Sequence, residues 1–423
     1  MEDLKVMRRV TSIRTVRLML VLGLGVVSGG LAGLYILYDR TGRHTVHWVA
    51  DRVGLSEHPI SRYSYGYFGA HLYTWRAVRS RAHPEWNVRP GFDVKLVAEG
   101  LDYPVNLVFV PKSGPDPDSP VFYVNELHGK IKYVGRDGLV RTYAEGLTNF
   151  TPINREMTDE TGLSGLTLVP GTEDLLVTGA FKDESSGLLQ NRILRLRSAP
   201  GGKKVQKVET VKVFDEFTSP SNQIQQALFG PDGKLYVSVG DAENAPLSLD
   251  LGKYGGKILR LNLDGTACEK NPFYDTFAPD APRSAVYASG VRNVFDLDFD
   301  AAGRCFAVDN GKNIDRFFRL VAGGSYGWNG DPESIRLNAL YTWGPVNNTA
   351  PVGLAILKSA TLGPETAGRC YVAFYGPPAA IGANQGKAIV EFTLDAATGM
   401  LSRPPDMLVQ YAGEMKATVL GLA

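Results

Sequence analysis

Histidine and cysteine, the residues most often used for proton transfer and metal ligation, are placed so that most of this chain does without them. His44, His47, His58, His71 and His83 precede residue 90, His128 follows, and no histidine occurs after it. A metal site on His44, His47 and His58 needs a supporting carboxylate or cysteine, and none stands at ligand spacing. Cys268, Cys305 and Cys370 have neither the number nor the spacing of a zinc site or a disulfide framework. Cys305 and Cys370 each follow Gly-Arg and precede an aromatic, which marks equivalent strand positions in a repeat. Apart from histidine and cysteine the chain holds many amides, carboxylates and arginines, among them Asn222, Asp241, Arg292 and Asn293. The planar guanidinium fork of Arg292 suits a carboxylate, on a ligand or buried in the protein. Asp241 ends a Gly-Asp pair after an apolar run, where a turn aspartate caps its own backbone or orients a neighbour. The oxygens of Asn222, Asp241 and Asn293 are also of the kind calcium prefers, so a calcium-dependent hydrolase is one chemistry the set could perform.

The elements that must position these residues are short strands in a repeat. In residues 224–264 an apolar run ends at the turn Gly230-Pro231-Asp232-Gly233 and an alternating run, Lys234 to Val239, begins at once. Proline at the second turn position and glycine at its end suit a tight reversal, so two antiparallel strands are expected, with a third over Lys257 to Asn262. Strand starts of the same kind recur at Asn106, Gly165, Gln226, Asp296 and Gly353, 57 to 70 residues apart. Each leads through a turn to a second strand and in most to a third. Sheets of this size cannot bury both faces alone, and stacking them around an axis does so, which predicts an all-β fold, a β-propeller. A sixth start, Leu420-Gly421-Leu422-Ala423, makes the expected ring six-bladed with its last blade incomplete. Residues 94–99 offer one further strand.

The body, residues 90–423, is the propeller. Ahead of it lie a basic tail (1–17), an uncharged apolar run (18–38) and an aromatic, histidine-bearing segment (39–89). The 21 residues from Leu18 to Tyr38 are enough to cross a bilayer as a helix. The basic flank then stays in the cytoplasm and the propeller lies outside it, in the periplasm or beyond the cell. A cleaved signal peptide is the alternative, although the run exceeds the usual apolar core of one. In 39–89, Tyr63, Tyr65, Tyr67, Phe68, Tyr73, Trp75 and Trp86 crowd together with arginines, a composition for a stalk near the headgroups or a docking surface for a protein partner. A formal net charge of +1, with no basic stripe among aromatics in the body, argues against a nucleic-acid partner.

The motifs PGFDVKLVAEGLDYPVNLVFVP, ETGLSGLTLVP, LVTGAF, FGPDGKLYVSVGD, GGKILRLNLDGT with NPF, ASGVRN and GGSYGWNG occur in that order across residues 90–423. In order and spacing they resemble the soluble quinoprotein glucose dehydrogenase family, which includes aldose and sorbosone dehydrogenases. The resemblance implies a six-bladed propeller that binds pyrroloquinoline quinone (PQQ) and calcium at the top of the axis and oxidises a sugar or alcohol by hydride transfer. It places Asn222 where the family has its base histidine and Asp241 where the family has the carboxylate that orients that base. Arg292 and Asn293 match residues that hold quinone oxygens. Gly311 and Lys312 match the loop whose backbone carbonyls bind calcium. Lys312 stands in place of a proline, Arg316 and Phe317 in place of an acidic pair. Where basic residues of the family clamp the quinone carboxylates, Gly413-Glu-Met-Lys-Ala-Thr-Val carries only Lys416. Asparagine can orient a hydroxyl but cannot take its proton. Two functions are therefore expected: a membrane-anchored, extracytoplasmic PQQ-dependent sugar dehydrogenase, or a non-catalytic propeller of that type that binds a carbohydrate or a protein partner.

Overall fold

The computed structural model describes residues 78–150, 161–217, 219–343, 349–359, 366–376, 387–413 and 421–423. These fall in one compact unit, Gly66–Ala423. The tail, the apolar run and most of the aromatic segment lie outside the described residues, as does Lys416. Among the described residues no helix is long and apolar enough to cross a membrane.

The described residues form five sheets. Sheet I is β3 (Pro104–Phe109), β4 (Pro120–Glu126), β5 (Lys130–Gly135) and β6 (Val140–Ala144). Sheet II is β7 (Leu163–Leu168), β8 (Leu175–Lys182), β9 (Leu189–Ser198) and β10 (Val205–Phe217). Sheet III is β11 (Ile224–Phe229), β12 (Leu235–Val239), β13 (Lys257–Leu261) and β14 (Val286–Ser289). Sheet IV is β15 (Val294–Phe299), β16 (Cys305–Asp309), β17 (Asp315–Leu320) and β18 (Ala339–Trp343). Sheet V runs β19 (Pro351–Ile356), β20 (Arg369–Phe374), β21 (Ala388–Leu394) and β22 (Leu401–Tyr411), then adds β2 (Trp86–Val88) and β1 (Val78–Arg79) from the aromatic segment. All pairings are antiparallel, and the five repeat starts expected from sequence are the first strands β3, β7, β11, β15 and β19. Cys305 and Cys370 hold equivalent places, opposite Phe299 and Ile356 at the ends of β15 and β19, and both are buried free thiols.

First strands of successive sheets pack against one another, β3 on β7, β7 on β11, β11 on β15 and β15 on β19. This is the radial order of a propeller, whose apolar core lies between neighbouring sheets. Leu176, Ile193 and Phe214 of sheet II meet Leu235, Val237 and Leu259 of sheet III, for example. Between sheets IV and V, Phe317 stacks on Phe392 with ring centroids 5.1 Å apart. Buried polar groups join the sheets too: Asn125 Nδ2 donates to Ser164 O (3.1 Å), Ser164 Oγ to Ile224 O (2.7 Å) and Leu354 N to Asp296 Oδ2 (2.8 Å).

Two expectations need correction. The number of sheets among the described residues is five, not six. At the place of the sixth start, residues 421–423 run between β3 and β19: Gly421 N donates to Val105 O (3.1 Å), and a Cβ on Gly353 would lie 3.0 Å from Leu422 N. One such bond makes no ladder, and the described residues 421–423 belong to no strand. Residues 94–99 also form no strand, and Leu96 and Val97 are exposed, because no sheet edge pairs with them.

Every sheet has a register shift between its first and second strands at the same end of the first strand, at Pro104/Asn106, Leu163/Leu166, Ile224/Ala227, Val294/Asp296 and Pro351/Gly353. Bulges re-aim side chains and bend a strand away from its partner. Here they mark the end of the propeller where Asn222, Asp241 and Arg292 lie.

Candidate functional site

Asn222 precedes β11 with φ at +53°, a conformation that asparagine tolerates better than most residues. The chain is pressed onto Gly240 just there: a Cβ at position 240 would lie 2.2 Å from Asn222 O, so only glycine lets the two backbones meet. That contact brings Asn222 to the turn that follows β12. Asn222 Nδ2 donates to Asp241 Oδ1 at 2.7 Å, and Glu243 N donates to the same oxygen at 2.9 Å. Trp328 Nε1 donates to Asp241 Oδ2 at 2.7 Å from the loop between β17 and β18. Asp241 N in turn donates to Arg292 O at 2.8 Å. Asp241, Asn222 and Trp328 are all buried. Burial pushes the Asp241 carboxyl above its ordinary value, and the bonds from Asn222 and Trp328 and the charge of Arg292 pull the other way without cancelling it.

Arg292 leads into β15 and is half-buried. Its Nη1 donates to Asn310 O at 2.8 Å, and its guanidinium carbon lies 5.9 Å from the centre of a Trp328 ring. Asp309, at the end of β16, fixes the backbone of this pair by accepting from Arg292 N (3.2 Å) and Asn293 N (2.7 Å). Asn293 is buried, and its Oδ1 accepts from Gln225 Nε2 at 3.3 Å, which ties sheet III to sheet IV. The structure thus joins Asn222, Asp241 and Arg292 directly, and Asn293 through Asp309.

Gly311 and Lys312 follow β16. Gly311 N donates to Asp315 Oδ1 at 3.0 Å, and a Cβ on Gly311 would lie 1.8 Å from Ile314 O, so the turn admits only glycine. The Lys312 side chain is exposed and joins none of the other site residues. His128 lies at the end of sheet I, with Nδ1 3.6 Å from Asp102 Oδ2 and its ring 4.9 Å from that of Tyr103.

Sequence reasoning missed three members: Trp328, Asp309 and the role of Arg316. Trp328 stands in GGSYGWNG, so its motif was visible while its bond to a carboxylate 87 residues away was not. Arg316 was visible as a departure from the acidic pair, and its fully buried guanidinium is paired with Asp309 (Nη2 to Oδ2, 2.7 Å).

The fold and site together define a β-propeller of antiparallel sheets that carries an arginine and a buried, thrice-bonded carboxylate at one end. The chain belongs to the Glucose / Sorbosone dehydrogenase family, whose model matches residues 101–352. It is 28% identical over 267 residues to quinoprotein glucose dehydrogenase B of Acinetobacter calcoaceticus, covering 56% of this chain and 52% of that protein. An uncharacterised protein of Synechocystis is 26% identical over 262 residues, 57% of this chain and 60% of that one. The chain spans about half the length of the curated relatives it matches. Among solved structures, the PQQ-bound aldose sugar dehydrogenase of Streptomyces coelicolor shares the fold with a TM-score of 0.58 at 22% identity, over 79% of this chain and 87% of that one.

Calcium at the backbone carbonyls of Gly311 and Lys312, where the resemblance implies it, would find no uncommitted carboxylate beside that loop. Calcium takes six to eight oxygens with free lone pairs. Both carboxylates beside the Gly311 loop are already committed. Asp315 accepts from Gly311 N, Thr349 N, Thr349 Oγ1 and Ala350 N at 2.9–3.1 Å. Asp309 accepts from Arg292 N, Asn293 N and Arg316.

Proposed function

We propose that the end of the propeller around Asp241 and Arg292 binds PQQ and oxidises a sugar or alcohol without a histidine base. The observation that carries this reading is the half-buried Arg292 guanidinium, which rests near Trp328, whose indole pins Asp241, in a chain of this family. The quinone fits the donor set, because a planar fork held in this way suits its carboxylate and carbonyl oxygens. Oxidation of a hydroxyl-bearing carbon releases a hydride from carbon and a proton from oxygen. The chemistry PQQ supplies when bound is acceptance of that hydride. Arg292 binds and orients the anionic ligand, and Asp309 holds the Arg292 backbone in register. Asn222, bonded to Asp241, orients the hydroxyl but cannot take its proton, which passes to water or to Asp241. General-base assistance is typically worth ~10² to 10⁴ in rate, so turnover is expected to be slow.

The test is calorimetric titration of PQQ, with calcium present, into the full-length chain. Binding weakened by Arg292→Ala supports the reading, and Asn222→His is then expected to raise kcat by ~10² or more. No binding to a folded sample ends it. A second reading, a non-catalytic propeller that uses the same end to bind a carbohydrate or a protein partner, is favoured by the commitment of the Asn222 amide to Asp241. It predicts sugar binding that is unaffected by PQQ. We also propose that residues 18–38 anchor the chain with the propeller outside the cytoplasm; release of the protein from membranes by alkaline carbonate would refute the anchor.

A further inference from the structure

We infer that Arg316 is a built-in cation that organises this end of the propeller, so that the chain needs no calcium there. Arg316 begins no loop of its own; it points inward from β17 and is fully buried. Its guanidinium collects oxygen from four separate segments. Nε and Nη2 donate to Asp309 Oδ2 at 3.1 and 2.7 Å, and Nη2 also reaches Gly290 O at 3.2 Å. Nη1 donates to Tyr326 O at 2.8 Å and lies within reach of Ile335 O (3.3 Å) and Leu337 O (3.2 Å). Phe318 and Tyr326 present ring faces at 4.6 and 5.6 Å. A single carboxylate and four carbonyls around one positive centre is the environment that a hard cation gathers, because carbonyl dipoles turn their negative ends to the charge.

The segments it gathers are those that shape the site. Gly290 opens the Gly-Val-Arg-Asn connection, and Tyr326 and Trp328 share the loop that reaches Asp241. Ile335 and Leu337 lie at the C-terminal end of a single-turn 3₁₀-helix, Pro332–Arg336, whose last carbonyls have no partner within the turn. Asp309, held by Arg316, is the group that accepts from Arg292 N and Asn293 N. Arg316 therefore acts on the candidate ligand-binding pair by holding the one carboxylate that both backbone N–H groups share. An acidic residue at position 316 would add negative charge to this shell of oxygens and call for a metal; the arginine removes the need. The assignment holds whether or not a quinone binds.

Calcium and guanidinium are the probes. Calcium titrated calorimetrically into the EDTA-treated, desalted full-length chain is expected to give no stoichiometric binding, and the Tm is expected to be the same in EDTA and in calcium. Arg316→Ala is expected to melt lower, and millimolar calcium or millimolar guanidinium is expected to raise its Tm while leaving the wild type unmoved. Should the variant not fold alone, recovery of fold on dilution into either cation is the readout. Stoichiometric calcium binding by the wild type overturns the inference, and so does a variant that melts like the wild type or that neither cation restores. PQQ binding is not used in this test, so its outcome and that of the quinone reading can differ.

Discussion

Asp241 owes its position to a neighbouring backbone N–H, that of Glu243, and to two side-chain donors from elsewhere in the chain, Asn222 and Trp328, each of which can be removed alone. Trp328→Phe keeps the ring but deletes Nε1, leaving one buried carboxylate oxygen without its 2.7 Å partner. An unsatisfied buried acceptor costs about 1–3 kcal/mol, so the variant is expected to lose stability of that order in denaturant unfolding. The Asp241 carboxyl, already raised by burial, is expected to rise further, which a pH titration of its carbon-13 resonance would show. An unchanged titration would mean that the indole does not act on the carboxylate. At the same scale, Asn222 offers an orienting amide in place of a base, and its Nδ2 is bonded to Asp241.

Among the elements, the short strand β2 shows how chain before the repeats becomes part of the propeller. Its Val88 lies opposite Val409 of β22, and Arg89 then turns inward to the fully buried Glu391 with bonds of 3.0 and 2.9 Å. Arg369, Arg403 and Tyr371 complete the shell of Glu391. Burial pushes this carboxyl up, but Arg89 and the other cations hold it below its ordinary value. Arg89→Met removes one charge-assisted pair and leaves the other two arginines, so a loss of about 1–3 kcal/mol is expected, confined to this edge. Hydrogen exchange at Trp86 to Val88 should accelerate while β15 to β17 stay protected; uniform acceleration would show that the edge is not an independent unit.

Among the described residues the sheets are joined by buried polar groups, and one of them is expected to make stability depend on pH. Asp296 on β15 accepts Leu354 N of β19 and is fully buried, which pushes its carboxyl up to about 8. In the unfolded chain an aspartate titrates near ~3.9. Between those values the folded state holds a proton that the unfolded state has released, so stability contributed by this group falls as pH rises from about 4 to about 8. Asp296→Asn, neutral throughout, is expected to flatten that part of the stability curve in denaturant melts at several pH values. A slope identical to that of the wild type would place the loss on another group.

The parts of this protein legible in the sequence are those built from near neighbours. Turn residues such as Gly230-Pro231-Asp232-Gly233 and alternation over Lys234 to Val239 depend only on adjacent φ/ψ preferences and on which face meets the core. They located the first strands of all five sheets and the radial architecture. Of the candidate site, Asn222, Asp241 and Arg292 are named by the family resemblance, whose motifs stand at fixed offsets from such turns and strand ends. The tertiary structure alone decided that five sheets form among the described residues, that β1 and β2 join sheet V, that residues 94–99 stay unpaired, and that Trp328 and Asp241 meet. It also turned Arg316 from a misplaced charge into the centre of an oxygen shell. These outcomes depend on which distant oxygens and edges a folded chain brings within hydrogen-bond reach, and no local pattern carries that distance.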